Sequence, residues 1–422
     1  MNKMNSRLIA VLLPLLAWGW AALRPQPASA KQPPLVADSA FFRYPMPIEP
    51  ELSGSFAELR RNHFHGGMDL RTKQREGIRV YSAAPGTIVR AGVSKVSYGK
   101  VLYVRHPNGM TTVYAHLSRF CAPVQRLVRK QQRKSGQYET DLRGLSIKTR
   151  NDKPIARSGN TGSSGGPHLH FEILQDSLRL NPALHGIRIS DSVPPALLHL
   201  AFYSRDLPLE IARSISVPDA DSLLQASFMD APALDYAMEK VIIEERDSLQ
   251  RLADRLSDTL YSRRAPFLSL PHVIDGEAYT ARYFKGDSLP DTLYLHDRTA
   301  FGIHALDSIQ HMPFHYGLYR LSFVILTEGK SEPDTLAFYQ LDALSINTCA
   351  QIDQHLDMPF YEKTRKRLEK SWLDARQTFT PYIRTGNRGF LDPVPGKSYT
   401  LVIGMEDVSR NRTVVRIPLT SK

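Results

Sequence analysis

Short runs of apolar residues, rich in β-branched and aromatic side chains, recur between residues 77 and 120, as they do in β-strands. Turn-forming residues such as Pro85-Gly86 and Asn108-Gly109 separate these stretches, as antiparallel hairpins require. A further strand pattern covers His168–Leu174. The first four predicted strands are Ile78–Ser82, Thr87–Val93, Val101–His106 and Thr111–His116. The pattern predicts an antiparallel β-sheet.

A helical periodicity replaces these strand-like runs over residues 234–260, where apolar residues recur at spacings of three, four and seven. Charged residues fill the intervening positions, so the pattern predicts an amphipathic helix. Strand patterns return from about residue 291 and end in the pair Tyr399–Met405 and Thr413–Leu419. This pair is typical of the closing hairpin of a β-sandwich, and we expect an immunoglobulin-like sandwich there.

The N-terminus has the features of an export signal. Lys3 and Arg7 precede an apolar run from Leu8 to Leu23, and Ala28-Ser29-Ala30 offers a small-residue cleavage site. We expect cleavage after Ala30. The alternative is a retained membrane anchor, for which the apolar run is short. The protein is therefore expected in the periplasm or cell envelope, with no stable membrane span after cleavage.

Length and pattern together divide the chain, because 422 residues exceed one ordinary domain. The stretch 122–150 is basic and polar with weak helical spacing, and we interpret it as a surface insertion. The predicted parts are a signal peptide (1–30), a proline-rich lead-in (31–50), a β-sheet domain (51–190) carrying the insertion, a linker and amphipathic helix region (191–290), and a β-sandwich domain (291–422).

The chain is basic, with a formal net charge of +12. Three of these positive charges lie in residues 1–30, so +9 remains after cleavage. Such an excess suits an anionic partner, and export excludes cytoplasmic nucleic acid. The chain contains two cysteines, Cys121 and Cys349, whose pairing the sequence leaves open. Two free thiols are the commoner outcome.

Five of the 14 histidines form three clusters between residues 63 and 170. The first cluster runs from His63 to Asp69. Its two consecutive glycines disfavour a helix, so we expect a loop that brings His65 and Asp69 to one point. An imidazole nitrogen and a carboxylate oxygen are both good zinc ligands.

The other two clusters place three histidines on predicted strands. His168 and His170 are two residues apart, so both side chains face the same side of a strand. His116 ends another strand. A catalytic zinc takes three protein ligands and leaves its fourth position to water. His65, Asp69 and one strand histidine would complete such a site, which leaves two imidazoles for acid–base and oxyanion roles.

The order His-x-x-x-Asp, Tyr-Ala-His-Leu and Gly-Pro-His-Leu-His-Phe-Glu resembles the lysostaphin-type, LytM-like family of zinc metallopeptidases. These enzymes cut the peptide cross-links or stems of bacterial peptidoglycan. The resemblance covers about residues 45–185. It implies a mainly β protein with an antiparallel LytM-like catalytic domain of the duplicated hybrid motif type, and one zinc ion per chain.

The resemblance also implies a role for each residue that matches a motif. His65, Asp69 and His170 become the zinc ligands, and His116 and His168 become the catalytic pair. The pair would hydrogen-bond the zinc-bound water, stabilise the oxyanion and pass a proton to the leaving amine. Which histidine acts as the base stays open. His63 has no matching role, and we interpret it as a supporting or surface residue.

The predicted function is an exported zinc metalloendopeptidase that hydrolyses peptide bonds in peptidoglycan. The alternative is a non-catalytic wall-binding or hydrolase-activating protein of the same fold, because some relatives have lost metal ligands. A serine hydrolase is disfavoured. Residues 162–166 fit Gly-x-Ser-x-Gly, but a strand pattern follows where a nucleophile elbow needs a helix.

Overall fold

The computed structural model describes residues 41–60, 63–205, 266–309, 315–349, 351–373, 382–384 and 387–421. The predicted signal peptide and the predicted helix over 234–260 lie outside the described residues. Within the described ranges, no helix combines the length and the apolar character that crossing a membrane requires.

Antiparallel strands build the part of the chain that carries the histidine clusters. These strands are β1 (Leu52–Gly54), β2 (Met68–Arg71), β3 (Arg79–Val80), β4 (Thr87–Val93), β5 (Lys100–Arg105), β6 (Thr111–Ala115), β7 (Arg119–Phe120), β8 (Thr140–Lys148), β9 (Ala156–Arg157), β10 (His168–Gln175) and β11 (Leu178–Leu180). The main sheet has the order β1-β2-β10-β6-β5-β4-β8, with β11 paired to β10, and β3-β9-β7 form a small sheet. The predicted antiparallel sheet is confirmed.

The basic stretch 122–150 contains a helix and a strand. Helix α1 covers Ala122–Ser135 and buries Val124 and Val128, which are four residues apart and so share one face. It ends at Gly136, whose φ of 70° lies in the left-handed region. Strand β8 then pairs with β4. The stretch therefore extends one edge of the sheet and keeps its positive charges on the outer face of α1.

The chain after residue 195 forms two more sheets of six strands each in the described residues. The first has the order β13-β14-β12-β16-β17 with β21 on β16, and the second β15-β24-β23-β18-β19-β22. Their bounds are β12 (Ala196–Arg205), β13 (Leu268–Ile274), β14 (Glu277–Lys285), β15 (Leu293–Leu295), β16 (Thr299–Ser308), β17 (His315–Tyr316), β18 (Arg320–Thr327), β19 (Asp334–Gln340), β20 (Ala343–Ser345), β21 (Glu369–Lys370), β22 (Tyr382–Arg384), β23 (Ser398–Glu406) and β24 (Arg412–Ser421). Short helices are α2 (Ile346–Cys349), α3 (Ile352–His355) and α4 (Met358–Thr364), with 3-10 turns at Pro182–His185 and Gly286–Ser288.

This arrangement differs from the expectation for the C-terminal part. The closing antiparallel pair is present as β23 and β24, but the immunoglobulin-like sandwich over 291–422 is not confirmed, because that range is shared between two sheets. The predicted linker region 191–290 holds β12, β13 and β14. In β12 the run Leu200–Tyr203 is buried on both faces, so it lacks the alternation that marks a half-buried strand.

Contacts join this C-terminal part to the sheet that carries the histidines. Strand β20 pairs with β11, which places Ser345 opposite Leu178. The backbone N–H of Phe64 donates to the carbonyl oxygen of Cys349 over 2.7 Å. Both cysteines are free thiols. The loop that leads to His65 is therefore fixed partly by residues from the far end of the chain.

Candidate active site

The pairing of β10 with β2 and β6 positions Asp69 and His170. Strand β10 pairs with β2 so that His170 lies directly opposite Asp69, and with β6 so that His170 lies opposite Ala115. Directly opposed residues point to the same face of a sheet. Leu169 and Phe171 point to the other face and are fully buried in the core. The alternation of β10 thus presents His168 and His170 on the face that bears Asp69.

His65 reaches this face through the glycine-containing loop before β2. A Cβ atom on Gly67 would lie 2.4 Å from the backbone oxygen of Phe171, so only glycine lets the loop cross β10 this closely. Nδ1 of His65 lies 2.7 Å from the carbonyl oxygen of Ser55 and donates to it. The lone pair of Nε2 therefore faces the site.

Three atoms from these residues converge. His65 Nε2 lies 3.1 Å from Asp69 Oδ1, His170 Nδ1 lies 2.8 Å from the same oxygen, and the two nitrogens are 3.0 Å apart. Ligand atoms around a tetrahedral zinc ion are about 3.3 Å apart. All three side chains are buried. A lone pair aimed at a carboxylate oxygen is repelled unless a proton or a metal ion lies between them, and three such atoms at this spacing fit a metal ion.

The carboxylate of Asp69 is held in its charged form. Burial alone would raise its pKa, but the neighbouring imidazoles of His65, His168 and His170 lower the pKa well below its ordinary value. The other carboxylate oxygen accepts a 2.7 Å hydrogen bond from Arg60 Nη2. Arg60 therefore fixes one oxygen and leaves Oδ1 directed at the two imidazoles.

Two further histidines border this group without joining it. Nδ1 of His116 donates to the carbonyl oxygen of Thr161 over 2.8 Å, and Nδ1 of His168 donates to that of Gly166, also over 2.8 Å. The ring centroids of His116 and His168 are 4.7 Å apart. Each ring thus keeps Nε2 available, and that of His168 lies 3.4 Å from Asp69 Oδ1.

The backbone and environment of His116 are unusual. Its φ of 57° is left-handed, which costs a non-glycine residue roughly 1–3 kcal/mol. Burial, followed by the charge of His168, lowers its pKa to about 4. The imidazole is therefore neutral at neutral pH and can accept a proton.

Glu172 accepts a hydrogen bond from the ring nitrogen of His170 that faces away from the site. Nε2 of His170 donates to Glu172 Oε1 over 2.9 Å, so Nδ1 faces the site as a lone pair. The carboxylate also accepts from the Tyr98 hydroxyl and lies 3.5 Å from Arg179 Nε. The sequence analysis missed this residue, although its position two residues after His170 predicts that it shares the same face of β10.

Residues 63–137 match the profile of Peptidase family M23. The chain carries a peptidase family M23 domain. The matched stretch includes His65, Asp69 and His116 of the M23 domain, and the sheet register adds His168 and His170 from beyond it. The family resemblance predicted from the three clusters is confirmed.

Relatives with similar sequences are bacterial peptidases. The chain is 30% identical over 148 residues to an uncharacterized metalloprotease of Haemophilus influenzae. The aligned stretch covers 34% of this chain and 26% of that protein. It is 35% identical over 118 residues to the DD-carboxypeptidase/endopeptidase Mpg of Neisseria meningitidis, 28% of this chain and 22% of the other. It is 31% identical over 162 residues to the peptidoglycan DD-endopeptidase ShyA of Vibrio cholerae, and this stretch covers 37% of this chain and 32% of ShyA. The chain thus spans about a fifth to a third of the length of these relatives.

The remaining sequence candidates lie outside the convergent group. His63 is exposed, in agreement with a surface position. Strand β10 follows the Gly-x-Ser-x-Gly stretch of the M23 domain. Ser164 Oγ donates to the carbonyl oxygen of Gly166, and no helix presents it as a nucleophile elbow would.

Replacing Glu172 with glutamine is expected to weaken zinc binding to the M23 domain by about 10- to 100-fold, because the neutral amide makes His170 a less basic ligand. Competition with a chromogenic chelator would measure the affinity. Glu139→Gln is the matched control, since the Glu139 side chain is exposed and bonds only to the 94–95 turn in this part of the structure. An unchanged affinity in Glu172→Gln would remove Glu172 from the support of the site.

Proposed function

We propose that this protein is an exported zinc metalloendopeptidase that hydrolyses peptide bonds in peptidoglycan stems or cross-links. The observation that carries the proposal is the convergence of His65, Asp69 and His170, whose ligand atoms lie within 4.8 Å of one another, beside two further imidazoles. Relatives named as a DD-carboxypeptidase/endopeptidase and a peptidoglycan DD-endopeptidase support the substrate class. The positive charge of the chain suits an anionic wall polymer.

His65, Asp69 and His170 would hold the zinc ion, which as a Lewis acid lowers the pKa of a water molecule. His116 and His168 each offer Nε2 to the same side of the sheet, because their Nδ1 atoms are bound to backbone oxygens. One neutral imidazole can take a proton at Nε2 from the attacking water, while the other, when it carries a proton on both nitrogens, donates from Nε2 to the carbonyl oxygen of the scissile peptide. The proton then passes to the leaving amine.

The test uses purified residues 31–422 and intact peptidoglycan. We expect about one zinc per chain by elemental analysis, release of new amines, loss of this release with a chelator and recovery on addition of zinc. Product masses from defined muropeptides would identify the bond. Full hydrolysis by metal-free protein would contradict the proposal. A zinc-loaded protein that binds peptidoglycan without cutting it would indicate the non-catalytic alternative.

The exposed charges of α1 are expected to strengthen substrate binding. The helix buries only Val124 and Val128 and turns its basic residues to solvent. The charge-reversing triple variant Arg129→Glu, Lys130→Glu and Arg133→Glu should weaken pelleting with peptidoglycan several-fold at low salt and leave little difference at high salt. The control variant reverses three exposed charges elsewhere, at Lys363, Lys397 and Arg416. Equal weakening in both variants would assign the effect to net charge alone.

A further inference from the structure

Three aspartates from distant parts of the sequence meet outside the M23 site. Asp191 lies in the segment between the 3-10 turn Pro182–His185 and β12, Asp307 lies on β16, and Asp407 lies in the turn between β23 and β24. One carboxylate oxygen of each residue lies within 4.8 Å of those of the other two. Asp307 and Asp407 are 4% and 1% exposed. Three carboxylates thus share a largely buried location.

Hydrogen bonds account for only part of this cluster. Asp407 accepts from both the backbone and the side-chain nitrogen of Asn411, at 2.9 and 2.7 Å. Asp191 Oδ1 accepts from the backbone N–H of Val193 over 2.9 Å. Asp307 Oδ1 is buried and has no hydrogen-bond partner among the described residues. A buried carboxylate oxygen without a partner is costly, and a bound cation is one of the few groups that remove this cost.

Two arginines, Arg188 and Arg410, line the same cavity. Arg410 Nη1 donates to Glu406 over 2.7 Å, and its guanidinium lies 4.7 Å from the centroid of the Tyr319 ring. No salt bridge within the described ranges joins a lysine or arginine to the three aspartates. The cluster therefore favours either a shared proton or a cation.

We propose that Asp191, Asp307 and Asp407 bind a calcium ion. An all-carboxylate set selects a hard cation over zinc, which prefers nitrogen and sulfur. Calcium accepts irregular arrangements with oxygen ligands at about 2.3–2.6 Å, so it can span oxygens spread over this distance, whereas magnesium demands a tighter octahedron. A cavity of about 680 Å³ adjoins the cluster and leaves room for water ligands.

A calcium ion bound here would link three segments of the chain. The ion would join the segment that leaves the M23 domain to β16 of one sheet and to the β23–β24 turn of the other. Thr413 Oγ1 already donates to the carbonyl oxygen of Pro195 at the same junction. The proposal concerns stability of this junction and does not depend on the proposed hydrolysis.

The test titrates calcium chloride into residues 31–422 that retain zinc but have been dialysed free of calcium. We expect one calcium per chain by calorimetry and a rise in Tm of about 3 °C or more at saturation. Asp307→Asn should abolish both effects. Without calcium it should be at least as stable as the wild type, because the amide has no charge that would have to be buried beside Asp191 and Asp407.

A second variant of the cluster and a control variant show whether a change in calcium binding is specific to the three aspartates. Asp191→Asn should also weaken calcium binding at least 10-fold, and its partly exposed position makes misfolding a smaller concern. Asp392→Asn removes a carboxylate that is 55% exposed and should titrate like the wild type. Failure of the wild type to bind calcium at about 10 mM, beyond the range of weak sites, would overturn the proposal. Unaltered binding by Asp307→Asn, or preference for magnesium, would do the same.

Discussion

Asp69→Ala is expected to lose zinc and peptidoglycan hydrolysis together. Its Oδ1 atom lies 3.1 Å from His65 Nε2 and 2.8 Å from His170 Nδ1, so its removal takes away one ligand and the charge that orients the other two. Charge stabilisation by a catalytic metal is worth several kcal/mol, so the rate should fall by about 10³-fold or more. Elemental analysis and amine release from peptidoglycan would be measured on the same preparation.

Two further variants distinguish loss of a zinc ligand from misfolding. Asp69→Asn keeps the shape and an acceptor for Arg60 while removing the charge, and it should also lose most of its zinc. Asp152→Ala removes an exposed carboxylate that pairs with Arg150 in the same domain, and it should behave as the wild type. Zinc retention at one per chain in a folded Asp69→Ala protein would exclude Asp69 as a ligand.

His116→Asn is expected to keep zinc and lose hydrolysis by about 10²- to 10⁴-fold, the range for removal of a general acid–base group. His116 is not among the three residues whose ligand atoms converge. Asparagine tolerates the left-handed backbone at this position better than alanine does, so the loop should keep its conformation. Zinc content and kcat/KM on a defined muropeptide are the two measurements.

The matched control for this prediction is His63→Asn. His63 belongs to the same motif-rich region but is exposed, so its replacement should leave zinc content and turnover within about twofold of the wild type. A His116→Asn enzyme with normal turnover would show that His116 is not part of the catalytic pair. Loss of activity in His63→Asn would instead indicate that the first cluster has been assigned wrongly.

Local spacing predicted which side chains of one segment lie together, whereas the roles of the individual residues were predicted from the family resemblance. Alternation along β10 predicted that His168 and His170 share a face, and the same rule extends to Glu172. The double glycine predicted a loop at His65, and the structure explains it through the close crossing over Phe171. Strand register cannot be predicted from local spacing. Asp69 lies opposite His170 because β2 pairs with β10, although the two strands are about 100 residues apart in the sequence.

Non-local contacts also account for what the sequence analysis did not find. Asp191, Asp307 and Asp407 have no spacing motif, because they come from a connecting segment, a strand and a turn. Strand β12 was missed because its consecutive apolar residues lack a period. Arg60 gave no signal either, since its contact with Asp69 depends on how the preceding loop folds back.

The pairing of β20 with β11 bears on how such a domain can be inherited or engineered. A catalytic unit that recombines freely between proteins needs edges that tolerate solvent, because an unpaired strand invites association with other chains. Here Ala343–Ser345 covers Leu178–Leu180, and Cys349 holds the backbone beside His65. A transplant of residues 51–190 alone would uncover that edge and loosen the loop that carries His65. Changes of substrate specificity in such a protein are therefore expected to arise in loops, with the two halves of the chain kept together.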